Sequence, residues 1–147
     1  MIMDFHPFLI HFPISFYFLA FLFEILRYKL NWINENTPLL IFIIASIFSI
    51  FSAFTGDAAK LNIGDSDKII VLLENHEGMG TLVTIFGLIF SFFLLYMRLK
   101  YPKKKLSIIK RLIFLLMTLM VFYTGFLGGK IVHNFDITYI NKLERYN

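Results

Sequence analysis

Residues 78–111 read GMGTLVTIFGLIFSFFLLYMRLKYPKKKLSIIKR. The first twenty of these, Gly78 to Met97, carry no charge, and the remainder holds seven of the chain's 14 basic residues. Twenty apolar residues in a helix cover ~30 Å, the thickness of a bilayer's hydrocarbon core. A stretch of that length ending in Lys and Arg reads as a membrane span whose basic flank stays in the cytoplasm.

Three more segments of similar length lie to either side. Helices are expected at about 7–26, 38–56, 67–99 and 108–134. The turn Asn31 to Pro38 separates the first two, with a proline at the start of the second. Gly64-Asp65-Ser66-Asp67 is another turn, and Ser66 or Asp67 is placed to cap a long third helix that runs through IIVLLENHEGMG into the membrane. The composition agrees: of 147 residues 58% are hydrophobic and 16% charged, and the mean hydropathy is +0.72. A soluble domain needs more polar surface than this. We read residues 1–147 as a single all-α domain, an integral membrane four-helix bundle.

The loops orient it. Arg98, Lys100, Lys103, Lys104, Lys105, Lys110 and Arg111 lie between the last two segments, and Arg27 and Lys29 between the first two. Lys60 and Lys68, between segments two and three, are outnumbered by Asp57, Asp65, Asp67 and Glu74. The positive-inside rule places the first two sets in the cytoplasm. Both termini and the middle loop are then on the periplasmic side of a bacterial inner membrane. The N-terminal MIMDFHPF lacks the basic region of a signal peptide, so the first segment is expected to be retained.

This orientation gathers all four histidines at one end. His6 and His11 open segment one, His76 opens segment three, and His133 closes segment four. His76 to Arg98 and Arg111 to His133 each span about 33 Å of helix, so both histidines come to a similar depth. Interfacial histidines commonly bond only to headgroups, water or backbone, and chance alone puts four on one side about one time in eight. Ionisable groups near lipid are nonetheless costly, which makes such a cluster a candidate site. His6 and His11 are five apart and point about 140° away from each other on a straight helix. Pro13, lacking an N–H, removes the bond to the Leu9 carbonyl and can kink the helix there. One of the pair is expected to face the bundle axis, and His11 is the one we favour.

Small residues cluster near the histidines. Gly78, Gly80, Gly125, Gly128 and Gly129 sit at the histidine end, where a backbone cleared of side chains admits either a close helix crossing or a flat ligand. Ala45, Ser49 and Ala53, at four-residue spacing, read as helix packing. The 19 Phe are expected to face lipid and core, and Glu24 with Arg27 reads as a local helix pair. Tyr17, Tyr123, Tyr139 and Trp32 fit packing or interfacial roles.

HPFLIHFP (6–13), TGDAA (55–59), the histidine opening segment three and GFLGGKIV (125–132), in that order, resemble a bacterial family known as domain of unknown function 2231. The resemblance covers nearly the whole chain, and HPxxxHFP is its most specific element. His6, His11 and His76 fall on the family's histidine positions. At His133 the family usually has an aromatic residue, often with a histidine two residues later, where this chain has Phe135; the glycine that follows is Asp136 here. Family members look like four-helix membrane proteins, some joined to Rieske-type or cytochrome c-type domains. That association implies electron transfer at the outer membrane face.

Three functions fit these residues. The first is a b-type haem protein with axial imidazoles from different helices, His11 and His76, with His133 as a substitute; His6 would be a cap, a partner bonded to a ligand, or a ligand to a second centre nearer the surface. Gly78, Gly128 and Gly129 would wall the macrocycle, and Lys130 or Lys60 would meet a propionate. The expected partners are membrane lipid, a periplasmic cytochrome c or Rieske-type protein or respiratory-complex subunits, and a second copy of the chain. The second is a copper or zinc site using Asp57, Glu77 or Asp136 beside the histidines; the spacing argues against it, since no two histidines are i,i+4. The third is a cofactor-free accessory subunit of a membrane complex. The absence of cysteine excludes thiolate sites and covalent c-type haem. No nucleophile–base pair, P-loop or dinucleotide fingerprint appears, so independent catalysis is not expected, and nothing points to nucleic acid. With no acidic residue at mid-membrane, a transporter is not expected either.

Overall fold

The computed structural model describes the backbone of residues 6–60, 67–101 and 107–144, and the side chains of residues 6–56, 70–101 and 108–133. All regular structure among them is helical: α1 His6–Leu9, α2 His11–Leu26, α3 Thr37–Lys60, α4 Asp67–Lys100 and α5 Ser107–Glu144. Four stretches are long and apolar enough to cross a membrane: His6–Leu26, Thr37–Gly56, Ile70–Lys100 and Ile108–His133. The chain is therefore a multi-pass membrane protein. α5 continues well past the expected end near residue 134, because no glycine or proline interrupts residues 130–144.

α1 and α2 are one span with a break at Ile10. Pro13 has no amide to offer the Leu9 carbonyl, and the next bond, from the Ile14 amide to the Ile10 carbonyl, is long at 3.5 Å. Each later helix packs on its predecessor, and α5 closes the ring against α2. Short connections and antiparallel neighbours make this an up-and-down bundle.

Its surface is as apolar as its core. Phe54, Phe92 and Leu99 are each at least 70% exposed, as side chains in hydrocarbon can be. The centre holds Tyr17, Ala20, Phe42, Ala45, Phe114 and Met117, all fully buried. The Phe42 and Phe114 rings stack at 4.5 Å, and Tyr17 meets Phe42 edge-on at 5.1 Å. The Tyr17 hydroxyl reaches Ser46 Oγ at 3.0 Å, and Ser46 Oγ reaches Ser91 Oγ at 2.9 Å. Three helices are thus tied by hydroxyl groups that lipid could not satisfy. Gly87 makes this possible, since a Cβ there would overlap the Tyr17 hydroxyl.

At the opposite end from the histidines, the basic end, Glu24 is fully buried. Arg27 donates to its Oε1 at 2.8 Å, the expected local pair. Lys110 Nζ, from α5, lies 2.8 Å from Oε2, an ion pair whose angles fall short of a hydrogen bond. Lys110 also donates to the Glu35 carbonyl, and Arg98 pairs with the Glu35 carboxylate. The local pair is thus part of a cluster joining α2, α4, α5 and the loop between α2 and α3. Burial works against the Arg27 charge, but the hydrogen bond and charge of Glu24 outweigh it and hold the guanidinium above its ordinary pKa.

Two substitutions test these ties. Glu24→Ala strands two cations beside a buried gap, and we expect a loss of up to about 3–5 kcal/mol, read as a lower melting temperature in detergent. An unchanged melting temperature would show the cluster to be stability-neutral. Gly87→Ala drives a methyl into the Tyr17 hydroxyl, and about 1–3 kcal/mol of destabilisation is expected from the same measurement.

Candidate functional site

The histidine end of the bundle contains a cavity of about 470 Å³ bordered by all five helices. That volume falls within the ~300–1,000 Å³ usual for small-molecule sites. Two histidines line it, His6 from α1 and His76 from α4. His11 is exposed on the outside of the bundle, and His133 is exposed and does not line the cavity. The preference for His11 as the inward member of its pair is therefore corrected: His6 takes that place.

The reason lies in the helical face. The inward face of the first span carries His6, Ile10, Pro13, Tyr17, Ala20 and Glu24, each lining the cavity or buried below it. The sequence held a signal for this. Glu24 follows His6 by about five full turns, so the two share a face, and a carboxylate is the residue least able to face lipid. His11 lies about 140° round from that face.

The two lining imidazoles are held alike. His76 Nδ1 is 3.0 Å from the Thr124 carbonyl oxygen, which only accepts, so Nδ1 carries the proton. His6 Nδ1 is 3.0 Å from Thr55 Oγ1. The Thr55 hydroxyl also reaches the Phe51 and Ser52 carbonyls, at 3.1 and 3.0 Å, and with its proton given to one of them it accepts from Nδ1. Each neutral ring then keeps its lone pair on Nε2. This is the arrangement by which outer partners prepare a histidine to bind a metal.

The rest of the wall is mostly apolar, with glycines set among aliphatic residues. Gly80, Gly125, Gly128 and Gly129 line it, as do Gly56 and Ala53 of α3, although the spacing of Ala53 reads as helix packing. Gly78 does not: it is exposed, with no atom within 4 Å of where a Cβ would stand. Among the described residues no Phe lines the cavity. Phe12, Phe16 and Phe48 instead pack against one another beside it.

Glu77 is the acidic residue of the lining. Among the described residues no group of three His, Asp or Glu is placed to hold a metal ion. The side chains of Asp57, Lys60, Asp136 and Tyr139 lie outside the described residues. Trp32 is exposed near the basic end, edge-on to Phe23, and Tyr123 is exposed too.

The fold and cavity define a multi-pass, four-helix membrane protein with a paired-imidazole pocket at one end. The chain belongs to the DUF2231 family of predicted membrane proteins, whose family model matches residues 3–141. No curated protein and no solved structure matches it.

The placement of the four histidines separates them by stability. His6→Ala and His76→Ala each remove a cross-helix hydrogen bond and should cost about 1–2 kcal/mol, whereas His11→Ala and His133→Ala should leave the detergent melting temperature unchanged. Equal effects at all four positions would contradict this arrangement.

Proposed function

We propose that the protein is a membrane-embedded electron-transfer protein that binds b-type haem in this cavity, with His6 and His76 as the axial ligands. The observation that carries this reading is the matched state of the two imidazoles. Both spend Nδ1 on a neighbouring helix and both keep an Nε2 lone pair at one apolar pocket. Gly80, Gly128 and Gly129 leave a flat group room against the backbone. Lys130 stands between two lining residues, Gly129 and Ile131, and is the cation we assign to a propionate. Bound in this pocket, haem supplies a one-electron couple whose potential is tuned by its axial ligands and their hydrogen bonds.

The residues present fit that role better than a lone copper or zinc ion. Two imidazoles suffice for an iron already held by four porphyrin nitrogens, whereas a bare ion needs further protein ligands. We take the cavity to lie on the periplasmic side of a bacterial inner membrane, a reading supported by the basic loops at the opposite end. A periplasmic cytochrome c, a Rieske-type protein or a respiratory-complex subunit would exchange electrons there. A second copy of the chain is a further candidate partner.

A dithionite-reduced minus oxidised visible spectrum of detergent-purified protein tests the reading. A reduced b-type α-band is expected, abolished by His6→Ala or His76→Ala and retained by His11→Ala. No haem absorption in folded protein from haem-replete cells would overturn it in favour of the cofactor-free accessory subunit.

A further inference from the structure

The two cavity histidines sit in matching seats. His6 Cε1 lies 3.1 Å from where a Cβ would stand on Gly56, and His76 Cε1 lies 3.2 Å from the same point on Gly128. The turn before each glycine meets the same ring: the Thr124 carbonyl accepts from His76 Nδ1, and the Thr55 hydroxyl oxygen lies 3.0 Å from His6 Nδ1. The Nδ1 contacts also span nearly equal stretches of chain, 49 residues in one case and 48 in the other.

Helix geometry explains why the seat needs glycine. In an α-helix each Cβ leans toward the N-terminus and covers the turn before its own residue. A side chain at Gly56 or Gly128 would therefore shield the carbonyl one turn earlier. With no Cβ, an imidazole from the neighbouring helix can approach there and donate Nδ1–H to that turn. The separations of 3.1 and 3.2 Å are tighter than ordinary contact, so a methyl there makes the ring give way by a few tenths of an ångström.

The seats also repeat in topology. In each case a helix entering the bundle from the histidine end brings the imidazole, α1 or α4. The helix returning to that end, α3 or α5, brings the glycine. Two successive hairpins therefore build the same device.

We infer that Gly56 and Gly128 are paired positioning residues, each seating one imidazole so that two equivalent Nε2 lone pairs meet one ligand. Such a pair takes an electron-pair acceptor, a metal centre open at two positions, and turns away anions and ligands that only accept hydrogen bonds. The identity of that centre as haem rests on the function proposed above; the seats do not.

The test separates the two. Histidine-¹⁵N-labelled full-length protein, made in haem-depleted cells and held in detergent, reports each ring's tautomer by NMR. Signals are assigned by removing one histidine at a time. His6 and His76 are expected to show the proton fixed on Nδ1, while His11 and His133 average between tautomers. Gly56→Ala should abolish the fixed signature of His6 alone, and Gly128→Ala that of His76 alone. Gly78→Ala, outside the cavity and with no atom within 4 Å of its Cβ position, should change neither. In haem-replete protein each seat variant should lower haem affinity about 10–100-fold.

Averaged tautomers at His6 or His76 in the unsubstituted protein would overturn the inference even if neither seat variant folds. So would equal effects of Gly128→Ala and Gly78→Ala. Fixed tautomers in a protein that never binds haem would uphold the seats and sink only the haem reading.

Discussion

Hydrocarbon offers a polar group nothing to bond to, so each one inside this bundle must find its partner in the protein. That constraint accounts for the serine and threonine bonds that run through the molecule. Ser46 and Thr118 bond carbonyls of their own helices, and Thr118 also reaches the Tyr17 carbonyl across to α2. Tyr17, Ser46 and Ser91 then join three helices through hydroxyl groups alone. Apolar packing does not distinguish a neighbouring helix from lipid, and these bonds help choose which helix faces which.

The same constraint shapes the histidine end. An imidazole in an apolar pocket is costly unless its N–H is bonded, and His6 and His76 both meet that need on the adjacent helix. The bond that satisfies the ring also bears on its tautomer, since a neutral ring protonated on Nδ1 keeps its lone pair on Nε2. The structural requirement and the chemistry proposed for the site therefore come from one hydrogen bond per histidine. The lining glycines let that bond form and keep the pocket open.

At the basic end charge takes the place of hydroxyl groups. Glu24 is buried between Arg27 and Lys110, and Arg98 holds Glu35 in the neighbouring loop. A buried ion pair often contributes little net stability against an apolar alternative, but it fixes which partners meet. Here it brings the loop between α2 and α3 against α4 and α5, opposite the cavity. The bundle is thus pinned by ions at one end and hydroxyl groups in the middle, and the histidine cavity lies at the other end.

Much of this was legible in the residues. Segment lengths against bilayer thickness require four spans, and the run from Gly78 to Arg111 alone establishes one of them and its basic flank. The break beside Pro13 follows from its missing amide. The choice between His6 and His11 was readable through Glu24, because helical period places Glu24 and His6 on one face. The seats at Gly56 and Gly128 were not, nor was Lys110 reaching Glu24 or Tyr17 resting on Gly87. Helical period reports which residues of one helix share a face, and hydropathy reports which segments leave water. Neither says how two helices are rotated about their axes relative to each other, and that rotation alone decides which glycine lies beneath which ring. The sequence by itself determined the spans, their basic flank and the histidine end; the tertiary structure decided which histidines meet, because that depends on contacts between helices far apart in the chain.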